Sequence, residues 1–299
     1  MTLLIPDARR GLLGGLIDDA ALLGTPAPPV EDAVERYRML RTADFGWTIG
    51  RFLIPASRLE DLAGVLVRTM TRGETPWSIG AVLGDDPAGN ASAAAAFHAA
   101  MDPAARIDVV RLPKPPDHSD QRVIRSLAAG RGIQPDALPM LATYPDDESG
   151  DYVDAIVQTR PTTVQPAGVH VDVERPHEPA ALAGIILRCI RADIPLTIGA
   201  TSPAAVTATD PATAKTRYGA LNLLAAASEH ADQSVARVTA TLIDGNPAAF
   251  DLSFAGIVRR SAAFGPVPVS PASRGPLMSI ASTNPEATIR SITEVVTIE

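Results

Sequence analysis

The run from Val169 to Glu174 (Val-His-Val-Asp-Val-Glu) places three ionisable side chains at alternate positions. Alternate side chains of an extended strand share a face, so His170, Asp172 and Glu174 fall together while the valines take the other side. Burying such a set is costly unless its members pair with one another, hold a ligand or exchange protons. Neighbouring carboxylates raise a histidine's pKa and raise each other's, which suits general acid–base chemistry. A structural alternative makes Glu174 and Arg175 a rim ion pair and His170 a satisfied core histidine. A further alternative has Asp18, His170, Asp172 and Glu174 ligating a divalent metal.

Other residues converge on the same kind of site. Asp18, followed by Asp19, ends the first apolar run, where a carboxylate either serves catalysis or caps the following turn. Arg51 lies inside the otherwise apolar Gly50–Pro55 and needs a partner: Asp18, Asp172 or an anionic substrate held as by a clamp. With Arg111 and Lys114 it would make a positive pocket favouring a carboxylate or phosphate. Tyr144, at the end of another run, is a candidate proton donor. Tyr218 and Asn222 stand one helical turn apart, either closing over a substrate or anchoring their helix. Thr197 and Ser279 would line a polar pocket. No Gly-x-Ser-x-Gly elbow, zinc-type Cys/His spacing or phosphate loop of the Walker type occurs.

The elements that must position these residues repeat. Eight apolar runs are readable: Leu12–Ala20, Trp47–Ile54, Trp77–Leu83, Ile107–Leu112, Pro139–Tyr144, Gly168–Glu174, Pro195–Ala200 and Pro276–Ser282. Most lead through a turn into a helix-like stretch, such as Ser57–Met70, Ala91–Met101, Asp120–Gly130, Pro179–Asp193 and Asn284–Val295. Ser57 and Glu60 have the spacing of a capping box. Strand–helix alternation implies parallel pairing through right-handed crossovers, and eight units predict a (β/α)8 TIM-type barrel spanning residues 1–299 as one domain. Between the seventh and eighth runs, residues 203–275 form an expected insertion at the barrel mouth. It would carry helices near Tyr218–Ala231 and Ser234–Asp244, with a hairpin or strand at Asp251–Arg260.

Composition bounds the partners. With 34 acidic and 26 basic side chains the formal charge is −8, which disfavours nucleic acid and anionic membranes. The single cysteine, Cys189, excludes an intrachain disulfide, and the N-terminal charge order does not suit a secretory signal, so a cytoplasmic protein is expected. Only Lys114 and Lys215 are lysines, and neither lies on the sixth or seventh run, which makes an amine-based aldolase mechanism a poor fit.

Four segments carry a resemblance over most of the chain: Gly15–Ala20, Gly50–Glu60 (Gly-Arg-Phe-Leu-Ile-Pro-Ala-Ser-Arg-Leu-Glu), Tyr218–Ala226 and Asn246–Phe250. In order and spacing they resemble a widespread family of bacterial proteins of similar length that has no established reaction. The resemblance implies a barrel. In that family strand six is Lys-Ile-Arg-Thr-Gly-Gly-like, and strand seven contains lysine and ends in His-His-Pro. Here Val169–Arg175 and Leu196–Pro203 have neither, and Met278–Thr283 lacks the cysteine expected there. The chain therefore reads as a divergent member. The leading expectation is a cofactor-independent lyase, isomerase or cyclase acting on a small, polar, carboxylated metabolite in a specialised biosynthetic route, a homo-oligomer being a further option. The alternatives are a metal-dependent lyase or aldolase of the same fold, and a ligand-binding or scaffold barrel that has lost catalysis.

Overall fold

The computed structural model describes residues 8–84, 86–115, 119–133, 136–146, 149–159, 166–175, 177–199, 203–211, 215–229, 231–253, 256–261, 265–268 and 274–296. Eight strands close into a parallel barrel: β1 (Ile17–Asp19), β2 (Ile49–Pro55), β3 (Trp77–Val82), β4 (Ala105–Leu112), β5 (Leu138–Thr143), β6 (Gly168–Asp172), β7 (Leu196–Gly199) and β13 (Leu277–Ser282), the last pairing with β1. The helices α2 (Val30–Thr42), α3 (Leu59–Thr69), α4 (Pro87–Met101), α5 (Asp120–Ile133), α6 (Ser149–Thr159) and α7 (Pro179–Ala192) follow β1 to β6 in turn, and α10 (Pro285–Val295) follows β13. This is the TIM-type architecture that the strand–helix alternation implies.

Amphipathic spacing explains the outer ring. α3 buries Leu59, Leu62, Ala63, Val65 and Leu66, and places Glu60 and Asp61 in its first turn, where the helix dipole favours acid. α4 starts at Pro87 rather than Ala91, because Asp86 caps it by accepting the Gly89 N–H and proline is suited to the first helical position. The core of the fold lies between strands and helices. Val169, Val171 and Val173 belong to it, together with Leu182, Ile185, Ile186 and Cys189 of α7. Burial also pushes the Cys189 thiol up to about 12, away from reactivity. Among the described residues no helix is long and apolar enough to cross a membrane.

Several boundaries depart from the sequence reading. The run Leu12–Ala20 is not one strand. Ala8–Leu13 is a helix, α1, and only Ile17–Asp19 is extended. A short apolar run fits a buried helix as well as a strand, and the break comes at Gly15, whose positive φ of 61° no branched side chain tolerates. Ser57 caps nothing: Ala56–Arg58 is a 3₁₀ turn, and α3 begins after Arg58 with no side-chain cap. β6 ends at Asp172, two residues short of Glu174.

Residues 203–275, expected at the mouth, divide between several places. The hairpin β8 (Ala208–Thr209) and β9 (Thr216–Arg217) precedes α8 (Ala220–Ala227). α8 packs against α7, α10 and β13, which makes it the crossover helix between β7 and β13. All eight of its residues are buried, because α9 (Val235–Leu242) lies over α7 and α8 from outside. A small antiparallel sheet, β10 (Phe250–Ser253), β11 (Gly256–Ser261) and β12 (Gly265–Pro268), packs against α1, the helix that enters β1.

Candidate functional site

Because Val169 and Val171 pack outward, the intervening residues of β6 face the lumen. The same alternation turns Asp18 of β1, Arg51 of β2, Arg111 of β4, Thr197 of β7 and Ser279 of β13 inward. Asp18 is the best held. Its carboxylate accepts the Arg51 backbone N–H at 2.7 Å, the Ser279 hydroxyl at 2.5 Å and Arg51 Nη1 at 3.4 Å. Ser279 in turn receives a bond from Arg51 Nη1 at 3.3 Å. A side chain at position 50 would collide with Asp18 Oδ1, so Gly50 is what lets the carboxylate reach the β2 backbone. The segments Gly15–Ala20 and Gly50–Glu60 thus meet at this ion pair.

Asp19, one residue on, points the other way. It accepts two bonds from Arg36 Nη2 at 2.7 and 2.9 Å and the Ala21 N–H at 2.9 Å. Burial still raises its pKa despite Arg36.

Opposite Asp18 stands Arg111. Among the described residues its guanidinium makes no hydrogen bond or ion pair, yet it feels the charges of Asp18 and Asp172. Since β1 and β4 are separated by two strands in the ring, that interaction runs across the lumen. Burial lowers the Arg111 pKa to about 10, so the guanidinium remains charged at neutral pH. His170 lies beside it, 3% exposed, with Nδ1 at 2.9 Å from Thr197 Oγ1. Desolvation, reinforced by Arg111, holds His170 well below the usual histidine range, so the ring is neutral at pH 7. Its Nε2 has no hydrogen-bond partner among the described residues. The neighbouring Gly199 leaves that edge uncovered, since a Cβ there would come within 3.2 Å of Nε2.

Asp172 is half-buried at the strand end and accepts the Glu174 N–H at 2.9 Å. Glu174 itself is exposed beyond β6 and does not enter the lumen. His170, Asp172 and Glu174 are therefore not one buried acid–base set, because the strand ends too early. Nor do the four proposed metal ligands gather: among the described residues no three His, Cys, Asp or Glu side chains stand together.

The rim is cationic and aromatic. Arg175 lies 3.8 Å from the Tyr144 ring centroid, and Lys114 lies 5.7 Å from it while pairing with Asp146 at 3.0 Å. Asn222 is far from this chemistry. Its amide bonds the Thr207 N–H and the Thr241 and Asp244 carbonyls, locking α8 to α9. Tyr218 precedes that helix and stacks on His177 at 5.5 Å. Among the described residues both His177 Nε2 and the Tyr218 hydroxyl are buried without a hydrogen-bond partner. Sequence reasoning missed His177, which sits in the loop after β6 with no periodic pattern to mark it. Its nearness to a strand end was the available signal.

The comparisons add no relative. No known family model matches the chain, and no curated protein matches it significantly. The functional reading therefore rests on the lumen itself.

Proposed function

We propose that the barrel binds a small metabolite through a carboxylate or phosphate on Arg111, and that His170 and Asp172 move a proton on it, as in an isomerase or lyase. The observation that carries this is Arg111: a charged guanidinium in a barrel lumen, its donors unused among the described residues, while Arg51 is already paired with Asp18. A bidentate oxyanion satisfies such a fork and offsets the cost of keeping it from water. Neutral His170, with Nδ1 oriented by Thr197 and Nε2 uncovered, has the form of a general base. Asp172 lies at the C-terminal end of its strand, the end at which barrel enzymes assemble their sites. Proton transfer of this kind calls on the side chains alone, with Arg111 stabilising negative charge that develops on the bound acid.

The test is solvent-deuterium exchange, followed by proton NMR, over a panel of small 2-oxo and 2-hydroxy acids and their phosphate esters. A responsive compound should lose exchange by about 10²-fold or more in His170→Gln. In Arg111→Gln the same compound should show a raised KM with a smaller fall in kcat. Exchange that survives His170→Gln unchanged removes the proton-transfer reading. A second reading, a ligand-binding barrel without turnover, is favoured by the closed pairing of Asp18, Arg51 and Ser279, which leaves that carboxylate no free role. It predicts binding that depends on Arg111 with no exchange in any compound.

A further inference from the structure

The N-terminal end of the barrel, opposite the site just described, holds a cleft of about 360 Å³ that includes Tyr37, Arg41, Gly50, Arg51, Ser78 and Arg274 in its lining. Three of these are arginines, and among the described residues no carboxylate lines the cleft. Their donors are only partly used. Arg41 gives Nη2 to the Thr75 and Pro76 carbonyls at 3.2 and 3.3 Å. Arg274 gives Nη1 to the Gly14 carbonyl at 2.9 Å and to that of Leu12 at 3.5 Å. Arg51 gives Nη1 to Asp18 and Ser279, while its Nε is buried and unpaired. Among the described residues the other guanidinium nitrogens of the three make no hydrogen bond.

The charges do not cancel. Asp18 reaches Arg51 from the lumen side and neutralises one arginine of the three. Asp108, which accepts the Ser78 hydroxyl, is already paired with Arg106 at 2.6 Å. Burial is the main cause that lowers the Arg274 pKa; Asp18 attracts Arg274 as well, more than Arg51 repels it, but its single negative charge leaves the three arginines with a net positive charge. Like charges gathered around a concave space are stabilised by an anion that spans them, and a tetrahedral dianion offers enough oxygens to bridge three guanidinium forks.

We propose that this cleft is a second anion site, specific for a phosphate group, on the face of the barrel opposite its candidate active site. Arg51 links the two ends, since its other contacts are Asp18 and Ser279 in the lumen. The ligand is free phosphate or the phosphoryl end of a small metabolite. The proposal does not depend on the reaction assigned to the lumen.

Isothermal titration with inorganic phosphate tests it, with acetate as a monoanion control and phosphoserine as the organic source. With the lumen's anion site removed by Arg111→Gln, the protein should bind phosphate saturably at one site, at least about tenfold more tightly than acetate. Added to Arg111→Gln, Arg274→Gln and Arg41→Gln should each weaken that binding about tenfold. Arg41 lies at the rim, so its variant remains informative if loss of the Gly14 and Leu12 contacts unfolds Arg274→Gln. Phosphoserine binding as tightly as phosphate identifies a metabolite site, and weaker binding identifies the free ion. Absence of saturable binding in Arg111→Gln, equal affinity for acetate, or undiminished binding when Arg41→Gln is added overturns the proposal.

Discussion

Between its strands and helices the barrel is filled by aliphatic and aromatic side chains such as Leu62, Ile186 and Trp77. Inside the ring of strands the filling is Asp18, Arg51, Arg111, His170, Thr197 and Ser279, with Met140, Val109 and Leu53 outside the annular cluster. The two interiors alternate residue by residue along the same strands. Packing holds the first by non-directional burial, so each residue needs only suitable size and apolarity. The second is held by directed bonds, so removing one partner strands another. A stable fold does not require the second interior to be ionic; its uncommitted donors are what suggest a ligand.

The largest expected effect sharpens this contrast at two adjacent residues. Asp18→Ala leaves the Arg51 charge without its partner in the lumen and should cost about 3–5 kcal/mol in denaturant unfolding. Asp19→Ala frees Arg36, whose side chain is 34% exposed and can return to water, and should cost about 1 kcal/mol or less. Equal losses would mean that the lumen is no more demanding than the outside of the strand. In the annulus, Leu62→Ala should cost about 2–5 kcal/mol by cavity formation, with ligand binding by the folded fraction unchanged.

Next in size is an effect of pH. His170 has a folded pKa well below the ordinary 6.5, so below pH 6.5 the unfolded chain takes up a proton that the folded chain refuses. Its contribution is fully present above pH 6.5 and is lost as pH falls towards the folded pKa, by about 1.4 kcal/mol per pH unit. His170→Gln should flatten that part of the stability curve. His177→Gln, whose ring is also shifted down by burial but less deeply set, should flatten it less. A wild-type curve that is level between pH 6.5 and 5 would show His170 to be charged or already solvated.

The annular interior was readable from the sequence because it has a period. Valines at 169, 171 and 173 and the apolar stripe of Pro179–Asp193 both announce a face, and eight repeats of strand and helix announce a barrel. The lumen was readable only in part. His170 and Arg51 stand out as polar residues within apolar strands, and Arg51 has Asp18 as its partner, one of the three expected for it. Strand ends carry no such mark. Alternation extrapolated past Asp172 wrongly turned Glu174 inward, and the all-apolar stretch before Asp18 hid a helix followed by a glycine break. Asn222 could be read either as closing over a substrate or as anchoring its helix, because a buried amide and an exposed one read alike in sequence; three backbone groups around it decide for the anchor. His177 and Arg274 escaped notice because long-range folding brings them to their sites from segments without periodicity.

The smallest effect separates a polar group kept for the fold from one kept for a ligand. Tyr37 and Tyr218 are both almost fully buried, but the Tyr37 hydroxyl donates to the Gly50 carbonyl at 2.6 Å while that of Tyr218 has no partner among the described residues. Removing a hydroxyl that bonds the backbone costs about 1 kcal/mol, whereas removing one already unsatisfied costs nothing and can stabilise by a similar amount. Tyr37→Phe should therefore lower the melting temperature, and Tyr218→Phe should leave it unchanged or raise it. If the orphan hydroxyl is kept for a ligand at the mouth, Tyr218→Phe should weaken the binding of the lumen's anionic compound while stabilising the empty protein, the opposite signs expected of a functional group held at a cost. A fall in stability on Tyr218→Phe would instead reveal a structural hydrogen bond, and the mouth would then belong with the annulus as packing.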